Sequence, residues 1–140
     1  MRKKSLGFTL IELLIVMVII GMLAALVGPR LFGQLEGSKA KAAKAQIEMI
    51  GTALDAYRLD MNGYPSTEQG LVMLWDKPAQ DAAGAANWRG PYLRKSIPAD
   101  PWGNPYQYRA PGQKGEFDLF SFGRDGKEGG EGEDADIVSW

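Results

Sequence analysis

Apolar and polar positions divide the chain into three regimes. From Leu10 to Val27 every position is apolar except Glu12 and Gly21. About 18 such residues, rising 1.5 Å each, nearly match a hydrocarbon core roughly 30 Å thick. The run is long for the apolar part of a secretory signal peptide, and AALVG at Ala24–Gly28 only approaches a cleavage pattern. It reads as a retained transmembrane helix. Behind it, Ala40, Ala43, Ile47, Ile50, Leu54, Tyr57 and Met61 recur at spacings of three and four. They make one apolar stripe, with Lys39, Lys41, Lys44, Glu48 and Asp55 largely elsewhere. The pattern predicts one helix from about Thr9 to Asp60, on the order of 75 Å long, its first half in lipid and its second half packed on a small domain. Gly28-Pro29 is expected to weaken it, because Pro29 cannot donate to the Ala25 carbonyl.

Beyond Asp60 the pattern is punctuated. M-N-G-Y-P is a turn, and S-T-E-Q-G-L-V-M-L-W starts like a helix capped by Ser66 or Thr67, with Leu71, Leu74 and Trp75 facing inward. Lys77 to Asn87 carries no motif, and the small-residue loop runs to Gly90-Pro91. A turn around Trp102-Gly103-Asn104 leads into a strand at Tyr106 to Arg109, and P-G-Q-K-G makes a second turn. E-F-D-L-F-S-F alternates, with Phe117, Leu119 and Ser121 on one face and Asp118, Phe120 and Phe122 on the other. The two strands form a hairpin whose aromatic face covers the Ile47, Ile50, Leu54 and Tyr57 stripe, an α+β arrangement.

Composition narrows the chemistry. With no cysteine and no histidine among 140 residues, thiol and Ser/His nucleophiles are excluded, and only carboxylates are left for acid/base work. The chain reads as a non-enzyme. A membrane-anchored carboxylate hydrolase is the dissenting alternative. The net charge is -1, and three of the cations, Arg2, Lys3 and Lys4, precede the apolar run. No basic surface for nucleic acid is left behind them. Those three cations outweigh Arg30 on the far side, so the amino terminus is expected to stay cytoplasmic. Glu12 is then costly: a carboxylate at the middle of a membrane helix costs roughly 2.5–3.5 kcal/mol, and less near an interface. It either snorkels to the headgroups or gains from a partner.

The stretch K-S-L-G-F-T-L-I-E, with Gly7, Phe8, Thr9, Leu10 and Glu12 at fixed spacing, resembles the leader of type IV pilins and type II secretion pseudopilins. Y-P-S-T-E-Q-G-L at Tyr64–Leu71, D-P-W-G-N-P-Y at Asp100–Tyr106 and F-D-L-F-S-F-G-R-D-G-K-E-G-G with a terminal D-I-V-S-W resemble the major, G-type pseudopilin family. The resemblance implies a type IV pilin-like fold: a long amino-terminal helix on a small antiparallel sheet with a carboxyl-terminal ion-binding loop. It also implies residues 1–7 as leader, 8–29 as the transmembrane and assembly half of the helix, and 30–140 as a periplasmic domain. Within that domain, 30–60 continue the helix, 61–115 hold loops, a short helix and the first strand, and 116–140 hold a strand and the ion loop.

The implied function is polymerisation. A prepilin peptidase cuts between Gly7 and Phe8 and methylates the new Phe8 amine, and Glu12 of one protomer then faces that amine on the next. Copies of the chain assemble, with minor pseudopilins and an inner-membrane secretion platform, into a periplasmic filament that drives folded proteins across the outer membrane. The alternative is a type IV pilin for adhesion, motility or DNA uptake.

The tail admits two readings. Glu116 to Trp140 holds eight carboxylates and many glycines, and on composition alone the part after Gly123 would be disordered. If Ile137, Val138 and Trp140 dock, however, the acidic glycines close into a loop whose oxygens suit Ca2+. The resemblance implies Asp125 and Asp136 as side-chain ligands, with the backbone carbonyls of Phe122 and Lys127. Asp134 is a less regular member, because Ala135 separates it from Asp136.

Overall fold

The structure is a computed structural model and describes residues 6–140. Arg2, Lys3 and Lys4, on which the expected orientation rests, lie outside those residues. One helix, α1 (Leu10–Met61), accounts for 52 residues and runs through Pro29 without interruption. The expected weakening at Gly28-Pro29 is therefore confined to the hydrogen bond that a proline cannot donate. The helix ends where Asn62 takes a left-handed conformation (φ 59°) and its N–H bonds to the Arg58 carbonyl at 2.8 Å. Asparagine is among the few residues that tolerate that conformation, so M-N-G is a stop signal with a mechanism.

The chain divides into two compact units at Glu36. In the first, the apolar side chains from Leu10 to Leu35 are exposed on every side of the helix. The helix is long and apolar enough to cross a membrane, and none of its most apolar stretch is buried. In the second unit, Gly37–Trp140, the helix has one sheltered face: Ala43, Ile47, Ile50, Ala53, Leu54 and Tyr57 are buried. Leu74, Tyr106 and Leu119 close over that face, with Phe117, Tyr108 and Ile137 at its margin. Each fully buried Leu or Ile contributes roughly 1.5–3 kcal/mol, so this contact dominates the stability of the unit.

Three short strands form an antiparallel sheet in the order β1 (Gln107–Arg109), β2 (Asp118–Ser121) and β3 (Ile137–Val138). Tyr108 pairs with Leu119 and Arg109 with Asp118, while Ser121 pairs with Ile137. The period-two pattern puts Leu119 and Ser121 on the buried face, with the Phe117 ring beside Gly51 of α1. On the opposite face Phe120 packs edge to face with Phe122 and Trp140, ring centroids 5.2 and 5.9 Å away. Docking of the final residues thus adds a third strand to the expected hairpin, and D-I-V-S-W is no loose end.

The segment expected to be a short helix after Tyr64 differs. Ser66 and Gln69 cap each other reciprocally: the Gln69 N–H donates to Ser66 Oγ (3.2 Å) and the Ser66 N–H to Gln69 Oε1 (2.9 Å). That is a helix-start device. Only one turn follows, because Gly70 (φ 68°) redirects the backbone into a 3-10 turn at Leu71–Leu74 that drives Leu74 into the core. The Leu74 carbonyl then accepts the N–H groups of Tyr92 (2.7 Å) and Leu93 (2.9 Å), which ties down the far end of the unpatterned loop.

Candidate functional site

Two regions carry the residues that the sequence singled out. At the amino-terminal end, Gly7 and Phe8 precede the helix and are exposed. Thr9 is the cap: its Oγ1 accepts the Glu12 N–H (3.3 Å), and its own N–H donates to Glu12 Oε2 (2.8 Å). In a single protomer the carboxylate therefore satisfies one of the free backbone N–H groups at the helix start. Glu12 has a local partner as well as the intermolecular one expected for it. Nothing lies within 4 Å of a Cβ built on Gly7, and its backbone is not left-handed. The fold of this chain makes no demand for glycine there.

At the other end, the chain leaves β2 at Ser121 and returns at β3, and this pairing closes Gly123–Asp136 into a loop. Two close approaches require glycine. A Cβ on Gly123 (φ 71°) would meet the Ala135 carbonyl oxygen at 2.6 Å, and one on Gly130 (φ 93°) would meet that of Asp134 at 2.5 Å. Asp125 is exposed, and its Oδ1 accepts the Lys127 N–H (3.1 Å). Asp136 Oδ2 accepts the Gly129 N–H (3.0 Å), while its Oδ1 is buried and has no hydrogen-bond donor. A buried carboxylate oxygen without a donor costs about 1–3 kcal/mol or more, and a cation is one way to satisfy it.

Asp134 has a different employment. Arg124 Nε bonds its Oδ1 at 2.8 Å and the same guanidinium reaches Oδ2 at 3.1 Å, with Glu133 held by another nitrogen at 2.5 Å. Such a bidentate fork is geometrically specific, and it gives Asp134 a partner within the loop. Among the described residues no group of three or more Asp and Glu side chains converges on one point. A hard cation here would depend on Asp136 and Asp125 for charge and on carbonyls, such as those of Phe122 and Lys127, for the remaining oxygens. The orphaned Asp136 oxygen and an all-oxygen donor set suit that ion.

Three buried polar groups lie near this end: Ser121, on the Leu119 face as alternation has it, Asp118, on the opposite face, and Asp100, outside any alternating segment. Asp118 is fully buried and holds the P-G-Q-K-G turn, accepting the N–H groups of Gln113 (2.7 Å) and Lys114 (3.1 Å) and the Arg109 Nε–H (2.7 Å). Ser121 and Asp100 are also buried and bond each other at 2.5 Å. The Tyr106 hydroxyl donates to Gln46 on α1. Burial, reinforced by the Asp100 carboxylate, pushes its pKa up to about 12, so it remains a neutral donor. The signal for Asp100 was its place at the start of D-P-W-G-N, a sequence suited to a side-chain-closed turn.

A single apolar helix with a capping Thr and Glu at its start, a small three-stranded sheet and a closed acidic loop define a membrane-anchored, pilin-like subunit. Residues 2–28 match the prokaryotic N-terminal methylation motif, and residues 30–140 match the family described as type II secretion system, protein G. The chain belongs to that pseudopilin family. It is 52% identical over 139 residues to the type II secretion system core protein G of Pseudomonas aeruginosa, covering 99% of this chain and 97% of that one. The corresponding protein of Vibrio cholerae is 48% identical, covering 100% and 94%. The crystal structure of the major pseudopilin from the type 2 secretion system of enterohaemorrhagic Escherichia coli superposes with a TM-score of 0.64 at 40% identity. That match covers 80% of this chain and 95% of the other.

Proposed function

We propose that the chain is the repeating subunit of a periplasmic secretion filament: a structural element, not a catalyst. It inserts in the inner membrane with its amino terminus cytoplasmic and is cut by a prepilin peptidase between Gly7 and Phe8, with methylation of the Phe8 amine. It then polymerises with its own kind, and with minor pseudopilins, on an inner-membrane secretion platform. The observation that carries this reading is the first unit of α1, apolar and exposed on every side yet headed by Glu12. A helix of this kind has no core of its own to enter, so lipid or other copies of itself must cover it. A contact between unlike surfaces that does not close into a ring propagates as a helix.

Cleavage creates the group that Glu12 lacks. A new α-amine, with a reference pKa of about 7.7–8.0, is largely cationic near pH 7 and sits at the level of the headgroups. Glu12 of a neighbouring protomer would then hold an ion pair in place of its bond to the Thr9 N–H. At the other end, Asp136 and Asp125, with the Phe122 and Lys127 carbonyls, would hold calcium, which would supply positive charge to an acidic loop. Asp134, engaged by Arg124, stands outside the proposed ligand set.

The test is co-expression of the full chain with a prepilin peptidase and an assembly platform. Mass spectrometry should find Phe8 as a methylated first residue, and electron microscopy should find filaments that disappear when the peptidase is omitted. Processed protein that remains dispersed in the membrane despite a complete platform would refute the filament.

A further inference from the structure

The D-P-W-G-N-P turn precedes the acidic loop by about twenty residues in sequence, yet it contacts that loop through buried groups. Asp100, 4% exposed, closes its own turn: Oδ1 accepts the N–H groups of Trp102 (3.1 Å) and Asn104 (2.8 Å), and the Asp100 N–H donates to the Asn104 carbonyl (2.7 Å). Its other oxygen, Oδ2, accepts the hydroxyl proton of Ser121 at 2.5 Å. Ser121 is fully buried at the end of β2, and its Oγ accepts the Gly123 N–H at 3.2 Å. The result is a directed relay from the Gly123 N–H through Ser121 to the Asp100 carboxylate.

The relay acts on one peptide plane. The Gly123 N–H and the Phe122 carbonyl belong to the same rigid trans unit and point in opposite directions. Pinning the N–H on Ser121 therefore fixes the direction of the Phe122 carbonyl. The same plane leads into the point where the loop's two ends touch, since a Cβ on Gly123 would strike the carbonyl oxygens of Ala135 (2.6 Å) and Asp134 (3.0 Å). The turn reaches the loop a second time at Gly126, where a Cβ would lie 3.2 Å from Asn104 Nδ2. An ion held by the two proposed carboxylates, Asp125 and Asp136, depends on carbonyls for most of its oxygens, and at bond lengths of roughly 2.3–2.6 Å a carbonyl turned aside is a ligand lost.

We propose that Asp100 and Ser121 are positioning residues for the carboxyl-terminal loop, through which the D-P-W-G-N-P turn sets how tightly that loop holds calcium. The inference rests on the calcium reading of the loop and extends it to two residues outside the ligand set. Partners that orient metal ligands from behind typically change metal affinity by about 10- to 100-fold when removed.

The experiment compares the full-length wild type with Ser121→Ala, Ser121→Thr and Asp100→Asn in detergent micelles. Calcium chloride is titrated calorimetrically, and amide hydrogen exchange is followed in chelator. Ser121→Ala and Asp100→Asn should weaken calcium binding about tenfold or more, and Ser121→Thr, which keeps the hydroxyl, should restore it. Exchange should quicken at Gly123 and Asp134–Asp136 and stay slow at Ile50 and Leu54. Equal calcium affinity in wild type and Ser121→Ala overturns the proposal, as does uniform quickening that includes the α1 face. If the wild type takes up no calcium, the ion reading fails and exchange decides the relay: quickening confined to the loop sustains its positioning role, and unchanged exchange removes it.

Discussion

Arg109 and Asp118 face each other across β1 and β2, and the Arg109 Nε lies 2.7 Å from the Asp118 Oδ2. The carboxylate is fully buried, whereas the guanidinium side chain is 35% exposed. Burial alone would raise the carboxyl pKa; the Gln113 N–H, the Arg109 guanidinium and the Lys114 N–H outweigh it and hold the group below its ordinary value. A depressed native pKa stabilises the fold fully above the unfolded value of about 3.9, and that contribution is lost as pH falls through the lower native value. Asp118→Asn should therefore unfold at a lower temperature than wild type near pH 7, and the gap should narrow below about pH 4. Thermal unfolding followed by circular dichroism from pH 7 to pH 2 measures this. A gap that stays constant would show that the charge is immaterial.

Glu12 supports the helix start in one protomer and is proposed to bind a neighbour's amine in the filament. Glutamine can fill the same capping position, since its side-chain carbonyl also accepts the Thr9 N–H. Glu12→Gln should accordingly insert in membranes as wild type does, yet assemble as poorly as Glu12→Ala. Counting filaments by electron microscopy against the membrane-inserted pool separates the two roles. Normal assembly of Glu12→Gln would reduce Glu12 to a cap.

The loop predicts different calcium responses for two neighbouring acids. At about 2 mM calcium and a dissociation constant of roughly 10⁻⁴–10⁻³ M, binding adds about 0.6–1.8 kcal/mol, or several degrees in Tm. Asp136→Ala should abolish that increment. Asp134→Ala should lower Tm by a similar small amount with calcium and with chelator, because what it loses is the exposed contact with Arg124. Melting curves of both variants in each condition decide the point, and a calcium increment lost in Asp134→Ala would return Asp134 to the ligand set.

Gly7 tests where the demand for glycine originates. Open space surrounds it, so Gly7→Leu should leave the fold and thermal stability unchanged. It should still block processing, since the demand would lie in the peptidase. Gel mobility of the precursor beside a melting curve supplies both measurements; efficient processing of Gly7→Leu would move the cleavage site elsewhere.

Long-range regularity was the part most legible in the sequence. The Ala43, Ile47, Ile50, Leu54 and Tyr57 stripe persists for several turns, and a pattern of that length has no competing period. The leader is likewise legible as a local motif, and residues 2–28 match the prokaryotic N-terminal methylation motif. The Ser66 cap was legible too, but one capped turn cannot outlast the left-handed backbone at Gly70. Asp118 was hidden for a different reason: alternation sets it on the face opposite Leu119, while backbone N–H groups and Arg109 satisfy it in the interior; the Asp100–Ser121 bond spans 21 residues, beyond any local pattern. Arg124 belongs with them, because its fork with Asp134 spans ten residues of loop with no period.

In the proposed filament, the exposed first unit of α1 would have an energetic consequence for traffic between membrane and assembled subunits. Lipid tails are about as apolar as leucine, so a helix that is greasy all round loses little when acyl chains are exchanged for identical helices. Hydrophobicity then holds the subunit in either environment without favouring one. The direction of transfer would then be left to small polar increments at the helix head, and the membrane pool would be a reservoir that a modest input of work can draw upon.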